Sequence, residues 1–242
     1  MLKNRALFLL VVIIMIIQAV LLNHFDTLYS SLPFLDGVPI TSSYALENKF
    51  LVYWFLPIVA MSFYFTGYCS DVLKTYGKVI IIRNYGRTRW LFNRFVSMMI
   101  VTLIFVVIQV LIFRFLLTDS TINLEGIEVI KLLAMYFLTL SALFALQLVM
   151  ELFISPQVAQ MVVNVYIVVS LLLTKQIYLI GGGFIYYLFL PNYAMGFRNG
   201  LTSISEFQTP IISYPIGITV LMIIIASIVG FSISRIKKID IF

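Results

Sequence analysis

The sequence predicts an all-α polytopic membrane protein with six transmembrane helices and both termini in the cytoplasm. Three observations predict it. Apolar side chains make up 62% of the 242 residues and charged ones only 11%, with a mean hydropathy of +1.08. Ordinary soluble domains carry about 25% charged residues, so a soluble fold of this length would lack the polar side chains to cover its surface. Lipid removes that need. Six apolar runs reach the length of a bilayer crossing, about 17 residues or more. The basic residues also fall in alternate connections, as the positive-inside rule requires.

The first run, Ala6 to Leu22, follows Lys3 and Arg5. No small-x-small cleavage site comes after it, only Asn23-His24-Phe25-Asp26, so it reads as a retained helix and not a signal peptide. The next runs are Phe50 to Gly67, Phe95 to Leu117 with Arg114 late in it, Leu132 to Met150, Val158 to Thr174 and Tyr214 to Ile233. Each is apolar all round, as a helix in lipid or in a bundle core should be. Tyrosines and Trp90 gather near the span ends, where an interfacial belt belongs.

Ile177 to Leu190 is strongly apolar but too short. As a helix it rises about 21 Å, against a hydrocarbon core of ~30 Å. Gly181-Gly182-Gly183 weakens any continuous helix there. The segment reads as a re-entrant or interfacial element between spans five and six. The charges agree. With six spans and an inside N-terminus, Lys3, Arg5, Lys74, Lys78, Arg83, Arg87, Arg89, Arg94, Arg235, Lys237 and Lys238 lie inside, and Lys49, Arg114, Lys131, Lys175 and Arg198 lie outside. Of the acids, only Asp71, Glu151 and Asp240 fall inside. A seventh span over 177–190 would carry Arg235, Lys237 and Lys238 to the wrong side.

The inner connection between spans two and three, Asp71 to Arg94, is the most informative stretch. Read as a helix over 71–83, it places Val72, Tyr76, Val79 and Ile80 on one face and Lys74, Thr75 and Lys78 on the other. Asp71 suits its first turn. Asn84-Tyr85-Gly86 is a turn signal, and Thr88 is placed to cap a second segment carrying Trp90 toward the third span. One reading is a basic interfacial helix that touches anionic lipid, at ~1 kcal/mol per basic residue. The other is a docking element for a cytosolic partner.

Six spans, inside termini, a basic amphipathic inner helix after span two, a short inner turn after span four and apolar outer helices before span six resemble the permease subunit of ABC-type exporters of the six-helix class. Within that class, LKTYGKVIIIRNYGRTRWLFNR, from Leu73 to Arg94, is similar to the permeases of Gram-positive peptide and bacteriocin export or self-immunity systems. The resemblance implies that the inner helix is a coupling helix seated in a groove of a cytosolic ATPase, with Asp71, Lys74, Tyr76, Lys78, Arg83 and Arg87 as docking residues. It implies ATP and magnesium in that partner, a second permease copy or homologue, and a bacterial plasma membrane. It also assigns 177–190 to outer re-entrant helices.

The chain itself carries no G-x-x-x-x-G-K-[ST] phosphate loop. One cysteine (Cys69) and one histidine (His24) supply neither a disulfide nor a clustered metal site. His24 has no nucleophile signature beside it, so no enzyme is expected, and the net charge of +6 is read through its placement along the topology and not as a sign of a nucleic-acid partner. Polar residues inside the runs are few: Gln18, Gln109, Gln147, Gln160 and Asn164. Gln109, Gln147 and Asn164 are candidates for a substrate pathway, although Gln147 and Asn164 fit hydrogen bonding across helices as well. Arg114 can snorkel to the nearby outer connection, and Glu151 reads as a snorkelling or capping charge. Scarce mid-span charge suits an amphipathic cargo such as a peptide. A non-transporting immunity or sensor protein and an ion-coupled carrier are the alternatives.

Overall fold

The computed structural model describes residues 5–23, 32–40, 44–71, 86–116, 126–180, 183–201 and 212–236. Among these there are helices and no strand. The long helices are α1 (Arg5–Asn23), α3 (Tyr44–Phe65), α4 (Arg87–Leu116), α5 (Gly126–Met150), α6 (Pro156–Ile180) and α9 (Tyr214–Ile236). Short pieces are α2 (Pro33–Asp36), α7 (Gly183–Tyr186), a 3-10 turn at Leu190–Ala194 and α8 (Gly196–Asn199). All six long helices are long and apolar enough to cross a membrane.

The long helices form because their runs satisfy every backbone group internally, the one arrangement besides a closed barrel that lipid tolerates. Their outward faces are apolar too: Leu9, Ile13, Leu103, Phe115, Met161 and Ile223 are all exposed. Water would not tolerate such a surface on a monomer.

α5 is the hub. It packs against α3, α4, α6, α9, α2 and the 3-10 turn. Of its spanning stretch 56% is buried, against 17% for α9, which packs chiefly on α5 and α4. Gly217 of α9 lies against the end of the Met135 side chain of α5, which a Cβ there would displace. A chain of rings ties the other helices together: Phe8 of α1 stacks on Phe105 of α4 at 5.1 Å, Tyr64 of α3 meets Phe105 edge-on at 5.2 Å, and Phe65 packs on Phe144 of α5 at 4.9 Å.

The short pieces cap one end of the bundle. Phe34 of α2 inserts between Phe113 of α4 (4.8 Å) and Tyr136 of α5 (5.5 Å). Gly37 turns the chain with φ +82, hard against Met195, a conformation that other residues rarely adopt.

Several boundaries differ from the sequence expectation. α4 begins at Arg87 and not near Phe95, so Thr88 lies within the helix instead of capping it. α5 begins at Gly126, ahead of Leu132. α6 runs on to Ile180, so residues 177–180 extend the fifth long helix, and what remains of the 177–190 segment is one four-residue helix and its flanks. At the starts of α4 and α5 the helical hydrogen bonding takes in polar or mixed residues, and in α6 it runs through Lys175 and Gln176 into the apolar residues beyond, so hydropathy does not mark these ends.

Candidate functional site

The first site is the root of the connection after α3. Gly67 closes that helix with φ +71, and the Asp71 N–H then donates to the Gly67 carbonyl (3.2 Å) to open a new helical turn. This turn aims two amides at one point. The Gly67 N–H donates to Glu151 Oε1 at 2.7 Å and the Cys69 N–H to Oε2 at 3.2 Å. Glu151 sits one residue past the end of α5 and is buried at 4% exposure. A carboxylate taken up by two amides at the start of a helical turn is a charge-assisted cap. Glu151 therefore caps, as the sequence suggests, but on a segment 84 residues away, and it does not snorkel.

The far side of the same connection is held by Arg94 of α4, whose guanidinium lies over Tyr68 (5.4 Å) and Trp90 (5.6 Å). The two roots are thus fastened to each other and to the α5–α6 turn. Of the proposed docking residues, Asp71 is exposed at the first root and Arg87 is half-buried at the second. Lys74, Tyr76, Lys78 and Arg83 lie outside the described residues, as does most of the expected 71–83 helix.

The second site is a polar stripe where α3 and the turn after it meet α5 and α6. Ser62 and Gln147 exchange two hydrogen bonds: the Ser62 hydroxyl donates to Gln147 Oε1 (2.9 Å), and Gln147 Nε2 donates to the Ser62 carbonyl (3.0 Å). One turn on, the Thr66 hydroxyl donates to Gln160 Oε1 at 3.0 Å. Beyond them Asn164 keeps a buried Oδ1 without a hydrogen-bond partner among the described residues. Asn164, Gln160 and Gln157 line a groove of about 430 Å³ with Phe55, Phe63 and Met161.

Gln109 belongs elsewhere. Its Nε2 donates to Gln18 Oε1 (2.8 Å), it accepts from the Tyr136 hydroxyl (3.2 Å), and Gln18 donates to the Tyr53 carbonyl (3.0 Å). This relay ties α1, α3, α4 and α5 together. The three sequence-selected pathway residues are therefore not brought together: Gln109 and Gln147 are engaged between different helix pairs, and Asn164 alone lines the groove. Arg114 is exposed near the end of α4.

Two features escaped the sequence reading. Ser62 and Thr66 supply half of the stripe, yet hydroxyls in an apolar run are common and gave no signal. Arg198 was only a charge in the topology count, but it is 1% exposed and among the largest fully buried side chains.

The family profile described as "Protein of unknown function (DUF2705)" matches residues 11–242. The chain belongs to the DUF2705 family. A relative from Bacillus subtilis (strain 168), "Uncharacterized protein YybK", is 36% identical over 236 residues, covering 95% of this chain and 94% of its own length. The similarity thus runs through all six long helices of the DUF2705 fold and both sites. No solved structure matches.

Proposed function

We propose that this chain is the membrane subunit of an ATP-driven exporter, set in a bacterial plasma membrane with both termini in the cytoplasm. A separate cytosolic ABC ATPase docks on the 71–94 connection and supplies ATP and magnesium. A second copy or a homologue completes the pathway. The observation that carries this reading is the fastened loop root. A partner pushing on the connection meets no slack: Glu151 passes displacement to the α5–α6 turn, and Arg94 passes it to α4. A loop that only touched lipid would need no buried carboxylate at its base.

The groove between α3 and α6 supports the rest. Its walls are apolar with amides at Gln157, Gln160 and Asn164, a surface for an amphipathic or peptide cargo that brings its own amide groups. The most buried charges among the described residues, Glu151, Asp36 and Arg198, sit at or beyond helix ends, which favours this reading over an ion-coupled carrier needing mid-span titratable groups.

The test is co-purification with an ATPase encoded beside this chain, before and after changing Tyr76, Lys78 and Arg83 together to alanine. The expected result is loss of the ATPase and of ATP-dependent efflux from vesicles. A complex that stays intact and active sinks the docking assignment. Efflux that survives without ATP but collapses with the proton gradient sinks the exporter reading.

A further inference from the structure

The capped end of the bundle holds a cation that the transport reading does not use. Arg198 of α8 is fully enclosed. Its Nε and Nη2 both donate to the Val38 carbonyl, at 3.3 and 3.1 Å, and Nη1 donates to Asn192 Oδ1 at 3.5 Å. The Tyr186 side chain lies against it. Every one of these partners is neutral, and the distances are at or beyond the usual 2.9–3.0 Å for such bonds. Burial lowers the Arg198 pKa from the ordinary arginine value, with Tyr186 and then Glu47 partly offsetting it. An arginine keeps its proton regardless. Among the described residues no carboxylate is hydrogen-bonded to this buried positive charge, and Glu47 acts on it through space, where buried charges are ordinarily paired.

Arg198 lines a cavity of about 250 Å³, together with Val38, Glu47, Lys175, Gln176 and Leu172. Lys175 Nζ binds Glu47 Oε2 at 2.8 Å, so among the charged lining residues two cations face one carboxylate. These described lining residues carry one net positive charge. At ~30 Å³ per water it has room for on the order of eight waters, which suits a headgroup and not a peptide.

Its position selects the occupant. Counting from Pro156, Lys175 stands about 29 Å along α6, close to the ~30 Å thickness of a hydrocarbon core. It therefore lies at headgroup level. The same wall carries Leu172 and Leu173, exposed by 53% and 43% on the outer face of α6. A free anion from water gains nothing from those leucines. A lipid does.

We propose that this cavity holds the phosphate of an anionic phospholipid between Arg198 and Lys175, with an acyl chain lying along Leu172 and Leu173. The site tethers the cap to the bilayer, and it stands whether or not the chain transports.

Native mass spectrometry of the full chain in neutral detergent tests it, after adding equal amounts of phosphatidylglycerol and phosphatidylcholine. One phosphatidylglycerol should stay bound per chain, at least tenfold over phosphatidylcholine. Lys175→Gln should cut that retention at least fivefold. Leu172→Trp, which blocks the mouth without touching the buried guanidinium, should do the same while the helical circular dichroism stays intact. Equal retention of both lipids, no retained lipid, or unchanged retention in the two variants would overturn the proposal, leaving Arg198 a clamp on the Val38 carbonyl. Inorganic phosphate that raises thermal stability as much as phosphatidylglycerol would overturn the lipid assignment in favour of a free anion.

Discussion

Glu151 at one end of the bundle and Arg198 at the other are both buried charges, and they are met by very different hydrogen-bonding groups. Glu151 takes two N–H donors, one as short as 2.7 Å, from a single turn of backbone. Arg198 shares one carbonyl between two of its nitrogens and reaches an amide oxygen at 3.5 Å. The carboxylate is matched because amides converge where a helical turn begins, and the chain only has to place an acid there. A guanidinium spreads five donors over a plane, and isolated carbonyls do not converge to meet it. So the acid serves as a fastener, whereas the arginine leaves positive potential facing a cavity.

That contrast makes ordered predictions. Glu151→Ala should cost the most, about 3 kcal/mol, because it strands two buried donors. The midpoint of denaturation in detergent measures it, and a loss below about 1 kcal/mol would break the fastener picture. Arg198→Gln should cost less, about 1.5 kcal/mol, since removing the cation also removes its own desolvation penalty. If Arg198→Gln proves as costly as Glu151→Ala, the arginine is as well matched as the acid and the contrast fails. Gln147→Leu, which breaks the paired bonds to Ser62, should cost about 1 kcal/mol, in line with hydrogen bonds between helices in membranes. Arg114→Gln should stay within about 0.5 kcal/mol on the same assay, as for exposed positions generally. A larger loss there would mean that charges outside the two ends also carry structure.

The long helices were legible because length and hydropathy report on solvent. Ala6–Leu22 and the start at Tyr214 fall within a residue of α1 and α9. The starts of α4 and α5 were less legible, because Arg87, Thr88, Arg89 and the 126–131 stretch are polar or mixed while their backbone still closes helical turns. The candidate sites were legible only in part. Gln147 and Gln160 stood out as amides in apolar runs, but Ser62 and Thr66, which meet them, did not. Glu151 could be identified as a cap, but not what it caps, since its partners are main-chain groups that any residue carries.

The amino-acid sequence by itself determined that this chain forms six long apolar helices, because a continuous apolar run of that length can bury twenty or so backbone amides without water as a single helix. Tertiary structure alone decided that α5 is the hub, that Glu151 fastens the root of the 71–94 connection, and that Arg198 faces a cavity beside Lys175. Those facts depend on which helices touch, through contacts between residues 84 or 160 positions apart. In an apolar chain any helix face can pack on many others, so hydropathy does not choose among them. The choice is narrowed at sites such as Gly217 against Met135 and the Ser62–Gln147 pair, where shape or a hydrogen bond favours one neighbour.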